Sequence, residues 1–156
     1  MTEAALSKPR LLAIDDNADS AQLISRVAAK CDYEAKHITY TRDLQRLLAE
    51  WQPQVLTLDL CMKEDDGISV LSLLQENGFA GSLLIISGQD DWLRKSAARL
   101  ASARGLNITS DLPKPVDLKL LREILMKLHA RASQSVSVLQ ASSSKRIVEP
   151  SVGFAV

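Results

Sequence analysis

Four short apolar runs punctuate the chain: Leu11-Leu12-Ala13-Ile14, Val55-Leu56-Thr57-Leu58, Leu83-Leu84-Ile85-Ile86 and the weaker Leu106-Asn107-Ile108. The first three are almost continuous. Strands covered by helices on both faces read this way, whereas half-exposed strands alternate. The pattern predicts a central parallel sheet. Glu34-Ala35-Lys36-His37-Ile38 is more polar and suits an edge strand, where charge discourages pairing with another chain. Between the runs the period becomes helical. Leu23, Ile24, Val27 and Ala28 form one apolar stripe, and Leu44, Leu47, Leu48 and Trp51 a second. Ile68, Leu71 and Leu74 form a third that stops at Asn77-Gly78; Ala97, Ala98, Leu100 and Ala101 form a fourth that stops near Gly105. The strongest stripe is Leu120, Leu121, Ile124, Leu125 and Leu128. Helix starts are predicted where a side-chain oxygen can cap open backbone N–H groups: Asp16 or Asn17, Thr41, Asp65 or Asp66, and Asp90 or Asp91.

Strand and helix therefore alternate five times. Right-handed crossovers place helices on both faces of a parallel sheet. The economical arrangement is an α/β, flavodoxin-like doubly wound domain, a five-stranded parallel sheet of order 2-1-3-4-5 with five helices. Strands two and five are then the edges. Pro113, which has no amide to give to a ladder, agrees with an edge position. Residues 1–8 read as an N-terminal extension, 9–131 as the domain and 132–156 as a Ser-rich tail or linker, with six serines between Ser133 and Ser144.

Charge narrows the function classes. With 19 Lys+Arg against 19 Asp+Glu, the 156-residue chain has no net charge. It carries no electrostatic footprint for nucleic acid or an anionic membrane. No apolar run approaches the roughly 18 residues that span a bilayer, and no secretory signal is read at the start. Cys31 and Cys61 lack paired spacing, so neither a disulfide scaffold nor a zinc site is expected. A cytoplasmic protein without direct nucleic-acid or membrane partners is the expectation.

Candidate chemistry comes from the topology. In a doubly wound sheet, ligands gather beyond the carboxyl ends of the strands. Those ends carry Asp15-Asp16, Asp59, Ser87-Gly88 and Lys114-Pro115. Three clustered carboxylates repel one another unless a cation sits among them. An all-oxygen set without His or Cys suits Mg²⁺. No glycine-rich phosphate loop follows the first strand, so a nucleotide is not the obvious anion. A carboxylate can instead accept a phosphoryl group as a nucleophile. The transfer then needs mainly positioning and charge neutralisation. Mg²⁺ and Lys114 would supply the charge, and Ser87 a hydrogen bond to a phosphoryl oxygen.

Taken in order, Leu-Ala-Ile-Asp15-Asp16, Asp59-Leu-Cys61-Met62 followed by Asp66-Gly67, Ile-Ser87-Gly88 and Lys114-Pro115 make the sequence resemble the receiver domain of two-component response regulators. The resemblance implies Asp59 as phosphoacceptor. It implies Asp16 as a direct Mg²⁺ ligand, Asp15 as a direct or water-mediated one, and Asp59 and the Cys61 backbone carbonyl as further ligands. Ser87 would be the switch hydroxyl, Gly88 would leave room for the phosphodonor, Lys114 would pair with the phosphoryl group, and the bond to Pro115 would be cis. The implied donor is a sensor histidine kinase or a histidine phosphotransfer protein, and the domain would be a switch rather than an enzyme.

Two positions depart from the family pattern. Lys63 stands where most receivers have proline, and Asp111 stands at the place of the switch aromatic, three residues before the lysine. The segment from Gly105 to Pro115 also resembles receivers that precede EAL-type cyclic-di-GMP phosphodiesterase domains. No such domain fits in the residues that follow. The chain is then either a stand-alone regulator, with a homodimer as one partner, or the receiver of a longer parent with an EAL-type output domain. Two other classes stand beside this reading. A phosphorylation-independent, receiver-like interaction or dimerisation module is allowed by Lys63 and Asp111 and opposed by the intact acidic set. A haloacid-dehalogenase-type phosphatase would want a second Asp where Cys61 stands. His37 and His129 are expected on the surface, and Trp92 is a candidate for a partner face.

Overall fold

The computed structural model of the chain describes residues 7–62 and 66–132. Lys63, the alternative cap Asp65, the tail and most of the N-terminal extension lie outside the described residues. Strands and helices alternate as β1 (Arg10–Ile14), α1 (Ala18–Lys30), β2 (Glu34–Ile38), α2 (Leu44–Glu50), β3 (Val55–Leu58), α3 (Gly67–Glu76), β4 (Ser82–Ser87), α4 (Asp91–Ala103) and β5 (Asn107–Pro113), followed by α5 over 118–132. All pairings are parallel and the sheet order is β2-β1-β3-β4-β5. Among the described residues no helix is long and apolar enough to cross a membrane.

The continuous apolar runs follow from this layering. Successive side chains of a strand point to opposite faces, and here each face is covered. Leu12, Ile14, Leu56, Leu58, Leu83 and Ile85 meet Leu44, Leu71, Leu74 and Ala97 of α2, α3 and α4. Leu11, Ala13, Val55, Leu84 and Ile86 meet Ile24, Val27, Leu121 and Leu125 of α1 and α5. Each of these Leu, Ile and Val side chains contributes about 1.5–3 kcal/mol by leaving water. β2 is an edge, and Glu34, Lys36 and His37 on it are exposed.

Helix ends follow local chemistry. Asn17, Asp66 and Asp90 accept from the N–H groups of Ser20, Ser69 and Leu93 at 2.9, 2.6 and 2.9 Å. The start expected at Thr41 differs: α2 begins after Asp43, whose side chain makes no cap bond. Gly78 and Gly105 take left-handed φ values of 66° and 85° just past α3 and α4, the conformation that lets a chain leave a helix. Three stripes are rotated relative to the sequence pattern. Leu23, Ile68 and Leu120 are 42, 37 and 40 % exposed, while Ala21 and Val70 turn inward instead. His129 is half-buried rather than on the open surface, its ring edge-on to Tyr33 with centroids 5.4 Å apart.

β5 extends well beyond the short run Leu106–Ile108 and reaches Pro113 on the second edge. Its pairing with β4 slips by one residue: Leu83 is opposite Ile108, but Leu84 is opposite Ser110. Thr109 is the extra residue. Ile108 therefore packs on the α2–α4 side and Leu112 on the α1–α5 side.

Candidate functional site

β1 and β3 run side by side with Ile14 opposite Leu58, so the residues that follow them become neighbours. The ladder continues one step further: the Asp59 N–H donates to the Ile14 carbonyl at 3.0 Å, and the Asp15 N–H to the Ile38 carbonyl at 3.2 Å. Both carboxylates are then fixed in the same manner. The Asn17 N–H donates to Asp15 Oδ1, and the Cys61 N–H to Asp59 Oδ1, each at 3.0 Å. A carboxylate that accepts from the amide two residues on closes a tight local turn. The remaining oxygens share one cation. Lys114 Nζ donates to Asp15 Oδ2 at 2.6 Å and to Asp59 Oδ2 at 3.0 Å.

Lys114 reaches this point from the end of β5. Its N–H donates to the Ser87 carbonyl at 3.1 Å, and its bond to Pro115 is cis. Asp15 and Asp59 are only 1 and 5 % exposed. Asp16 is half-buried, and ligand oxygens of Asp15, Asp16 and Asp59 lie within 4.8 Å of one another. Burial pushes the Asp59 carboxyl above its ordinary value; the Cys61 amide and Lys114 oppose that shift, and the Asp15 charge adds to it. For Lys114, burial works against the charged form, but hydrogen bonds and charge from Asp15 and Asp59 outweigh it and raise the ammonium's pKa. Among the described residues one ammonium faces three carboxylates, so negative charge is left over. An all-oxygen, net-negative cluster of this size fits a small hard cation such as Mg²⁺.

Ser87 ends β4, fully buried, and its Oγ accepts from the Gln89 N–H at 3.3 Å. A Cβ on Gly88 would meet nothing closer than the Lys114 Cβ at 4.0 Å, so the space above it is open. Cys61 presents its thiol to solvent and touches the site through its amide. Asp15, Asp16, Asp59 and Lys114 thus come together, with Ser87, Gly88 and Cys61 adjoining them. Asp111 does not join them. It lies opposite Ile85 on β5, where its Oδ2 accepts from Arg94 Nε at 3.1 Å.

Sequence reasoning passed over two residues. Arg94 is 5 % exposed on α4. Its signal is periodic, because Arg94, Ala97 and Ala101 share the buried face of that helix. Thr57, inside an apolar run two residues before Asp59, is 1 % exposed, and its Oγ1 has no hydrogen-bond partner.

The chain matches the family described as response regulator receiver domain over residues 11–126. Its fold is similar to that of a response regulator from Colwellia psychrerythraea, with 30 % identity, 80 % of this chain and 99 % of that chain covered, and a TM-score of 0.71. It is similar also to a response regulator signal receiver domain from Bermanella marisrubri, at 27 % identity, 76 and 96 % coverage and a TM-score of 0.63. A curated relative, the protein-glutamate methylesterase/protein-glutamine glutaminase of Archaeoglobus fulgidus, is 26 % identical over 140 residues, 88 % of this chain; the chain spans 40 % of that relative's length. With the family matched along most of its length and the same fold in solved relatives, the chain belongs to the response regulator receiver domains.

Proposed function

We propose that Asp59 accepts a phosphoryl group from a phosphohistidine on a sensor histidine kinase or histidine phosphotransfer protein, and that this changes the surface the domain offers to partners. The observation that carries the reading is the Lys114 ammonium, shared at 2.6 and 3.0 Å by the buried carboxylates of Asp15 and Asp59. Buried charge of this kind adds little stability, because desolvation offsets the attraction. Its use lies in chemistry. In the transfer, an Asp59 oxygen bonds to phosphorus as the donor's nitrogen–phosphorus bond breaks and imidazole leaves.

The chain's own groups have definable tasks. The Cys61 amide holds Asp59 Oδ1 and so fixes the rotation of the nucleophile. Lys114 can pair with a phosphoryl oxygen without leaving the rim, since it already touches Asp59. The Ser87 hydroxyl can turn from the Gln89 amide towards the same group. Open space at Gly88 admits the donor. Asp15, Asp16, Asp59 and the Cys61 carbonyl would hold Mg²⁺. When bound, the ion supplies the positive charge that a phosphoryl group needs beside three carboxylates. Occupancy of Asp59 then biases two arrangements of the β4, α4 and β5 region.

Intact-mass measurement after incubation with acetyl phosphate, with and without Mg²⁺, tests the reading. One phosphoryl adduct that requires Mg²⁺ and disappears in Asp59→Ala is expected. An adduct that survives the substitution would place the acceptor elsewhere.

A further inference from the structure

Arg94 is the feature that the phosphoacceptor rim does not explain. Arginine is almost never fully buried without partners, and this one is 5 % exposed beneath α4. Its guanidinium meets three parts of the fold. Nε donates to Asp111 Oδ2 on β5 at 3.1 Å, Nη2 to Asp91 Oδ1 on the first turn of α4 at 2.7 Å, and Nη1 to the Gln89 carbonyl in the loop after β4 at 3.4 Å. An apolar side chain would cover the sheet here without the desolvation cost of a buried ion pair. The arrangement makes sense through what it connects.

Gln89 is held at both ends. Its carbonyl accepts from Arg94, and its amide donates to Ser87 Oγ at 3.3 Å. The Ser87 carbonyl in turn accepts from the Lys114 N–H at 3.1 Å. A continuous polar chain therefore runs from Lys114 through Ser87, Gln89 and Arg94 to Asp111. It begins at the acidic rim and ends at a side chain that is 28 % exposed on the edge strand.

We infer that Arg94 is a positioning residue that holds the Ser87–Gln89 loop in its resting place, and that its pairing with Asp111 couples the Asp59 site to the outer face of β5 and α4. The inference rests on the reading of Asp59 as phosphoacceptor. When the Ser87 hydroxyl turns towards a phosphoryl group, it gives up the Gln89 amide. The Gln89 carbonyl then shifts away from the guanidinium, and the hold of Arg94 on Asp111 weakens with it. Coupling between two sites is reciprocal, so loosening the Asp111 end must favour occupancy of Asp59. Asp91 serves as an internal comparison. It pairs with the same guanidinium but sits on the same helical turn, so it travels with Arg94 and does not link it to β5.

Beryllofluoride, a phosphoryl mimic, is titrated with Mg²⁺ into the full chain by calorimetry, using wild type, Asp111→Asn and Asp91→Asn. Each substitution keeps the side-chain shape and removes one ion pair from Arg94, so a purely structural role lowers both unfolding midpoints and separates nothing in affinity. Asp111→Asn is expected to bind the mimic about fivefold tighter or more, the lower end of measured site–site coupling, and Asp91→Asn is expected to bind like wild type. An Asp111→Asn affinity equal to or weaker than wild type overturns the coupling and leaves the Asp59 reading standing. Wild type that neither binds beryllofluoride nor is labelled by acetyl phosphate overturns both.

Discussion

Replacing Lys114 with methionine keeps most of the stem and removes the ammonium that bridges Asp15 and Asp59. At an effective dielectric of about 20, a charge at 2.6 or 3.0 Å attracts each carboxylate by about 6 kcal/mol, and carboxylate oxygens within 4.8 Å repel by at least about 3 kcal/mol. Desolvation, several kcal/mol per buried ion, cancels most of the attraction. Removing one partner is different, because the others stay behind unpaired; such truncations typically lose about 3–5 kcal/mol. The Lys114 side chain is 24 % exposed and water reaches the rim, so the lower end applies, about 3 kcal/mol. For a domain of this size the melting midpoint in EDTA falls by about 10 °C. Mg²⁺ affinity moves the opposite way, since one positive charge has left the cation's neighbourhood. A gain of about 1.4 kcal/mol would read as tenfold tighter binding. Mg²⁺ at a hundred times its Kd then returns about 2.7 kcal/mol of stability. Calorimetry of unfolding and of Mg²⁺ binding measures both. A Lys114→Met protein as stable as wild type in EDTA, or one that binds Mg²⁺ more weakly, would refute Lys114 as the cluster's counterion.

Thr57→Val removes a buried hydroxyl that lacks a partner and should raise stability by about 1 kcal/mol; a loss in urea unfolding would show that the hydroxyl is satisfied. Gly67→Ala puts a Cβ 2.7 Å from the Leu60 Cα, where α3 starts against the end of β3. Overpacking of this kind costs about 1–3 kcal/mol, more than the gain in helix propensity, and an unfolding midpoint unchanged from wild type would contradict it. In metal-free protein the Asp59 carboxyl titrates above 3.8. The unfolded chain therefore releases that proton first, and the fold loses stability as pH rises from 3.8 through the higher folded value. The stability advantage of Asp59→Asn over wild type should grow across that window in EDTA, and an advantage that shrinks would reverse the sign.

Much of the fold is legible in the amino-acid sequence. β1, β3 and β4 are buried on both faces, so their composition alone marks them. The polar residues that follow those runs fall at strand ends, which is where a doubly wound sheet collects its ligands. Other features depend on tertiary context. A helical stripe marks a sector wider than the face that is finally covered, so Leu23, Ile68 and Leu120 read as core and lie exposed. β5 is an edge with Thr109, Ser110 and Asp111 along its middle, and its polarity hides its length. Arg94 reads as a surface residue because the acceptor that makes its burial tolerable, Asp111, is 17 positions away and meets it only in the fold.

The slip at Thr109 has its own consequence. In an uninterrupted strand, Ile108 and Leu112 would point the same way and Asp111 the other. One added residue gives the ribbon a half-turn, so Ile108 and Leu112 end on opposite sides and Asp111 comes round to α4. β5 is in effect two short strands of opposite handing joined at a single position. What keeps Asp111 facing Arg94 is then the register that begins at Ser110, opposite Leu84, more than the chemistry of Thr109. Substitution at 109 leaves that register intact, and deletion would remove the bulge while keeping Ser110, Asp111 and Leu112 opposite Leu84, Ile85 and Ile86.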